Sequence, residues 1–440
     1  MTCRLKNGWG EDRLKDIAKV NASSLGTHTP EDYEFSYLEI SNVDYSGIIS
    51  EEAIKRVQFI DAPSRAKRRV KKHDILVSSV RPNLQAIAHI QNGGNSDLIC
   101  STGFNVVSPR PKRVQDRFLY YFLLSEGCRQ YFEAVSKGVG YPALDDKDFE
   151  ATKVPLPPLT EQKRISEYLD ASCLAIDRAV ETKRKQLDTL DALHKSIITP
   201  AVLVGLNRSR SFQSTKNPWL KQIPVGWKLV SLKRVSETQS GLTLGKTYEG
   251  SIIERPYLRA ANVQDGYLDL EKITTIELPE SIVPRYELRP GDVLMTEGGD
   301  LDKLGRGFVW HGQIQGCLHQ NHVFAIRTVK RLLMPEFLAY LTASRFGRDY
   351  FEATGKRTTN LASTNSTKVG LFPVPLPPIT EQKEIVHFLD NKLEEVREVE
   401  KSITNQIKTL ISYRKSLIHE CVTGKRRIID ADVTEVEAHV

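Results

Sequence analysis

Two stretches of the chain carry apolar residues at a seven-residue spacing. In the first, every seventh position is Leu169, Ile176, Lys183, Leu190 and Ile197, and the positions four further on are Cys173, Val180, Leu187 and His194. In the second, the two sets are Leu389, Val396, Ile403, Leu410, Leu417 and Leu393, Glu400, Ile407, Arg414. A heptad seam sustained this long, with only occasional polar breaks, predicts long supercoiling helices. They should run from about residue 160 to the low 200s and from about 380 to the low 420s, roughly 60 Å each. A proline-rich lead before each should stop any upstream helix or strand, since proline lacks an amide donor and restricts its predecessor. Thr160 and Thr380 are then the expected N-caps, with Glu161 and Glu381 in the positive first turn. Lys163 and Lys383 stand where a capping box would need an acid or amide. Pro200 should kink the first helix or end it early.

The remaining sequence has shorter periods. Runs of β type at Ile75 to Val80, Phe104 to Val107, Asp292 to Thr296 and His322 to Ile326 are broken by glycine and proline. Amphipathic helices are predicted near Asp116 to Val135 and Pro335 to Ala353. Asn207 to Pro224 is polar and aperiodic, as suits a return linker.

These features occur twice. VPLPPLTEQKRI from Val154 is answered half a chain later by VPLPPITEQKEI from Val374. Leu169-Asp170 matches Leu389-Asp390, and HDILVSS from His73 matches GDVLMTE from Gly291. FLYYFLLSEGCRQYFEA from Phe118 matches FLAYLTASRFGRDYFEA from Phe337. Two related units in one chain tend to pack about a pseudo-twofold axis, which would make the two helices antiparallel partners, the alternative being that heptads this imperfect pack against other domains. The fold class is therefore α+β (mixed α/β): two globular units separated by an antiparallel coiled coil. The segments divide as 1–153, first globular unit; 154–206, first long helix; 207–224, linker; 225–373, second globular unit; 374–425, second long helix; and 426–440, C-terminal tail.

Composition narrows the partners. Of 440 residues, 40% are hydrophobic and 27% charged, an ordinary globular balance, with a formal net charge of +7 that permits a polyanionic partner. The six cysteines are scattered, with no CxxC pair and no histidine at zinc-ligand spacing beside them, so a reduced chain without a metal is the simplest expectation. The charged N-terminus does not read as a signal peptide, and no apolar run suits a membrane span, so a cytoplasmic protein is expected.

Candidate chemistry lies in the globular units. Arg65 to Lys72 places Arg65, Lys67, Arg68, Arg69, Lys71 and Lys72 in eight residues, a density suited to phosphates. Arg81 and Asn83 follow in SSVRPNLQ, and both types can present paired donors to base edges. Lys137 and Tyr141 lie in SKGVGY. The second unit offers Lys303 and Arg306 in EGGDLDKLGRG, then Lys356, Arg357 and Asn360 in GKRTTN. Gly241 to Thr247 resembles a phosphate loop but is one residue short of GxxxxGK[ST]. No HExxH, GxSxG or convincing dinucleotide fingerprint occurs, nor an Asn/Asp-Pro-Pro-aromatic tetrapeptide, so no catalytic residue is assigned.

The paired PLPPLTEQKRI and PLPPITEQKEI elements, each closing a mixed unit and opening a long helix, resemble the conserved regions of type I restriction-modification specificity subunits across essentially the whole chain. The resemblance implies two target recognition domains, each reading one half of a split, asymmetric double-stranded DNA site, with the helices setting the gap. It further implies that the helices dock two modification (methyltransferase) subunits. Cofactors would sit on partners: S-adenosylmethionine on those subunits, ATP and Mg on restriction subunits that translocate and cut. The Gly-rich turn at Ser240 to Lys246 matches one found in the family, and places Lys246 among the DNA-binding candidates. Two rivals remain on the residues alone: a single-chain DNA methyltransferase or nuclease, and a coiled-coil scaffold that joins only proteins.

Overall fold

The computed structural model describes residues 8–44, 47–91, 97–138, 140, 142–207, 209–246, 248–299, 304–305, 307–357 and 362–438. The chain forms two units, one from residues 1–184 with 404–440, the other from 185–403. The long helices span Leu159–Val204 and Ile379–Val422, and each contributes to both units.

In the first unit a four-stranded antiparallel sheet runs in the order Ala18–Val20, Phe104–Pro109, Ile75–Ser78, Ile87–His89. Ile75–Ser78 is buried along its whole length, as an apolar run between two neighbours should be. A second sheet orders Lys55–Gln58, Glu34–Leu38, Leu98–Ser101 and Ala66–Arg69, with the middle pair parallel. The second unit repeats the plan. Ser236–Ser240, Val323–Thr328, Asp292–Thr296 and Gly307–Val309 form one sheet, and Thr274–Pro279, Ile252–Leu258 and Leu318–His319 the other.

Four expectations need correction. The proline-rich leads do not end the strands; they are strands. Lys153–Leu156 pairs antiparallel with Gly10–Arg13, and Pro373–Leu376 with Lys228–Ser231. A two-stranded ribbon has an outer edge on each strand, where a missing proline donor costs nothing. The helices begin one residue before Thr160 and Thr380, and the first helical amides bond the carbonyls of Pro158 and Pro378, which act as the caps. Pro200 does not stop its helix, which continues to Val204 because Ile198, Ala201 and Val202 are buried in the second unit's core. Each single amphipathic helix is a pair, Asp116–Leu124 with Glu126–Val135 and Pro335–Ala343 with Arg345–Thr354. Ser125 and Ser344 break them: each is extended, and its hydroxyl accepts from the amide of Cys128 or Gly347. The polar linker also carries a small ribbon, Phe212–Ser214 with Gln222–Pro224.

The helices pack antiparallel within each unit. In the first, Asp177 meets Arg414 at 3.1 Å while Lys183 reaches Gln406, so one index rises as the other falls. Leu169, Cys173, Ile176 and Val180 share a core with Leu417, Ile418 and Cys421 and with the buried face of Asp116–Leu124. In the second, His194 lies 3.8 Å from Glu400, and Leu389 and Leu393 join Ile198 and Val202 in the core. One pair of polar breaks, His194 and Glu400, thus faces across the seam, while Lys183 and Arg414 reach the flanking Gln406 and Asp177, and such pairings fix register. Leu169 and Leu389 are fully buried, and truncating either to alanine should cost about 2–5 kcal/mol. Ile176, Val396, Ile403 and Leu417 are also buried, whereas Leu190, Ile197 and Leu410 are half-buried. The tail adds a helix, Asp430–Glu437, tied to the first unit by Arg164 and Asp430 at 2.9 Å and by buried Ile428.

Candidate nucleic-acid interface

In each unit the loop leaving the central strand is locked to the loop leaving the helix pair. In the first unit Val80 bridges Ala143, which also pairs with Lys137. The Arg81 amide donates to the Pro142 carbonyl at 2.8 Å, and the Leu144 amide to Ser79 at 2.8 Å. Arg81 and Gln85 take left-handed backbone conformations at φ 49° and 54°, flanking the turn Pro82–Leu84. Residues with a Cβ seldom sit there, and such strain collects at functional turns. The turn leaves the Arg81 and Asn83 side chains exposed, with Lys137 exposed on the adjoining loop.

The second unit builds the same junction with other residues. Gly298–Gly299 pairs with Ala362–Ser363, which pairs with Lys356–Arg357, and the Thr364 amide donates to Glu297 at 2.7 Å. Lys356 and Arg357 are exposed, the latter 3.6 Å from Glu352. Lys246 is exposed in the turn after Ser236–Ser240. That turn's resemblance to a phosphate loop has a packing origin: a Cβ on Gly241 would lie 2.3 Å from the carbonyl oxygens of His319 and Gln320. Tyr141, Lys303, Arg306 and Asn360 lie outside the described residues.

The basic run divides by orientation. Ala66–Arg69 is a strand whose register against Leu98–Ser101 shifts between Ala66 and Arg68, which leaves Lys67 out of the ladder and lets its neighbours turn separately. Arg65, Lys67, Lys71 and Lys72 are exposed. Arg68 turns inward, donating to the Phe104 carbonyl and, at 3.0 Å, to Asn105; burial lowers its pKa. Arg69 lies over the Tyr33 ring at 5.8 Å. The run reaches the loop junction through one turn, since Arg65 accepts from the Thr102 amide and the next residue, Gly103, accepts from Ser79. At the matching place the second unit has Arg285 and Arg289 only, so the two units present different charge patterns.

The glutamine of each TEQ phrase and the aspartate of each Leu-Asp pair hold this scaffold on its helix. Gln162 and Gln382 are buried. The Gln162 amide oxygen accepts from the Gln115 amide at 2.8 Å while its nitrogen donates to Pro157 at 2.8 Å. Gln382 accepts from Met334 at 2.9 Å and donates to Leu332 and Pro377. Asp170 accepts from the Tyr121 hydroxyl at 2.7 Å and Asp390 from Tyr340 at 2.5 Å. Asp170 also pairs with Arg117. Their exact repetition was the available signal for these positioning residues.

One scaffold made twice, with the same internal ties and different exposed side chains on its loops, defines a duplicated recognition protein. The family described as "Type I restriction modification DNA specificity domain" matches residues 6–190 and again 224–409, and the chain belongs to that family. It is similar to the type I restriction enzyme EcoKI specificity subunit of Escherichia coli (strain K12), 26% identical over 329 residues, 74% of this chain and 69% of that one. The MjaVIII specificity subunit of Methanocaldococcus jannaschii is 25% identical over 348 residues, 76% of each chain. Among solved structures, a chain from work on complex assembly and conformational transition of the type I R-M system shares the fold, with a TM-score of 0.69, 22% identity, and 95% of this chain and 98% of that chain covered. The protein is a non-catalytic DNA-specificity subunit of a restriction-modification system. No helix among the described residues is long and apolar enough to cross a membrane.

Proposed function

We propose that each loop junction reads one half of a split, asymmetric DNA site, and that the length of the paired helices sets the gap between halves. The observation that carries this reading is the duplicated junction itself: backbone pairings at corresponding places support the loops that carry Arg81, Asn83 and Lys137 in one unit and Lys356 and Arg357 in the other. Exposed Arg65, Lys67, Lys71 and Lys72 are suited to phosphate contacts, which position a protein without reading sequence. Two such units meet major grooves on one DNA face when half-sites lie about one turn, near 34 Å, apart. The helices carry the docking surface for two modification subunits, which supply S-adenosylmethionine and methylate adenine. Restriction subunits supply ATP- and Mg-dependent translocation and cleavage. The assembly works in the cytoplasm, where the genome is.

The test is to map methylated adenines in cells that express this chain with its modification subunits. The reading expects one motif of two half-sites separated by a fixed gap, and replacing residues 225–373 with those of another family member should change one half only. A continuous motif, or a change in both halves, would contradict it.

A further inference from the structure

We propose that His73, His89 and Asp116 bind a single divalent transition-metal ion of the zinc class in the first unit. The proposal does not depend on the DNA reading. His73 Nδ1 lies 2.7 Å and His89 Nε2 lies 2.8 Å from the same carboxylate oxygen of Asp116, and the three ligand atoms fall within 4.8 Å of one another. They come from three separate elements. His73 occupies the turn before the central strand, His89 ends the neighbouring strand opposite Ile75, and Asp116 is the first residue of its helix. The His89 side chain is 4% exposed and packs against the Tyr120 ring at 5.8 Å, which fixes its direction. His73 is 61% exposed, leaving the site open to water on one side.

The backbone gives an independent sign. His73 sits in the left-handed region at φ 71°, and Gly291, at φ 97°, fills the matching turn of the second unit. A side chain there is strained where glycine is not, so the histidine is held against a local cost at the point where its ring meets the carboxylate. The second unit has Gly291 and Pro335 in place of His73 and Asp116, so one ion per chain is expected.

Two imidazole nitrogens and one carboxylate oxygen, with room for water, form a donor set that suits zinc-class ions. Metal bonds of about 2.0–2.1 Å at tetrahedral angles set ligand atoms about 3.3 Å apart. Each histidine nitrogen must therefore move off the carboxylate oxygen by about half an ångström while the two nitrogens settle at that same spacing, an adjustment the exposed His73 ring can make by swinging. His89 would then carry its proton on Nδ1, giving up a 3.5 Å approach to Arg117. Arg117 keeps Asp170 and Tyr121, so its charge stays balanced. The bound ion would anchor the end of the basic run, since Lys71 and Lys72 immediately precede His73.

The full chain, stripped with chelator, is titrated calorimetrically with zinc chloride, with Co2+ absorption as a second readout of tetrahedral binding. One ion per chain is expected. His73→Gly introduces the residue the sister turn uses, so the fold should survive, as circular dichroism would verify, while affinity drops by about 100-fold or more. Asp116→Asn, close in shape, should lose binding as well, and His28→Ala, an exposed histidine elsewhere, should retain it. Zinc should raise Tm for the wild type and His28→Ala but not for His73→Gly. No stoichiometric binding by the wild type, or undiminished binding by folded His73→Gly, overturns the proposal.

Discussion

Replacing Gln382 with leucine should weaken the second unit far more than a near-isosteric change ordinarily would. Gln382 is fully buried and makes three hydrogen bonds, accepting from Met334 at 2.9 Å and donating to Leu332 at 2.8 Å and Pro377 at 2.9 Å. Leucine fills much of the same volume but leaves one amide and two carbonyls without their partner, the Pro377 carbonyl in a buried setting and the other two in partly buried ones. A stranded buried group costs about 1–3 kcal/mol, and the apolar side chain recovers part of that, so a net loss of about 2–4 kcal/mol follows. Against a typical domain stability of about 5–15 kcal/mol this is a large shift. Gln382→Glu should be worse near neutral pH: it keeps an acceptor for Met334 but turns a carboxylate toward two carbonyl oxygens. Urea unfolding followed by tryptophan fluorescence suits the test, because buried Trp227 and Trp310 both report on this unit. A loss below about 0.5 kcal/mol for Gln382→Leu, or a glutamate variant more stable than the leucine one, would refute the reasoning.

Replacing Lys67, Lys71 and Lys72 together with alanine should weaken DNA binding alike across sequences and flatten the log K against log salt slope, measured by fluorescence anisotropy, by about 0.9 for each phosphate no longer neutralised. An unchanged slope would remove the basic run from the interface. Arg81→Ala should instead relax selectivity at one half-site by about 1–3 kcal/mol, read from competition binding with single-base variants. Burial lowers the pKa of His319 below its ordinary 6.5, while its hydrogen bond to the Val323 carbonyl at 2.7 Å opposes part of that shift. Its neutral form is therefore favoured in the folded state, and that stability is present above about pH 6.5 and lost as pH falls through the lowered value. Calorimetry should show Tm of the second unit falling more steeply below that pH than in His319→Asn, and equal slopes would contradict this.

The helices were legible because heptads report directly on which face is buried, and duplication gave each half a control. The caps were misread because Thr160 looks like a better cap than Pro158 by side chain alone, whereas here the proline carbonyls take the first bonds. The breaks at Ser125 and Ser344 were hidden inside continuous apolar periodicity, since both helices of each pair bury an apolar face. Candidate DNA-binding residues were harder to sort. Charge density marks Lys67 and Arg68 equally, and only the irregular strand they share turns one outward and the other onto Asn105. The His73, His89, Asp116 cluster left no sequence signature because its members come from separate elements that only the fold brings together.

Adding one heptad after Leu187 and one after Ile403 lengthens both helices by about 10 Å while keeping their apolar faces in step. Methylation mapping with this variant should return the same two half-sites with the gap widened by about three base pairs, at about 3.4 Å each. An unchanged gap, or altered half-site bases at the original spacing, would contradict the account.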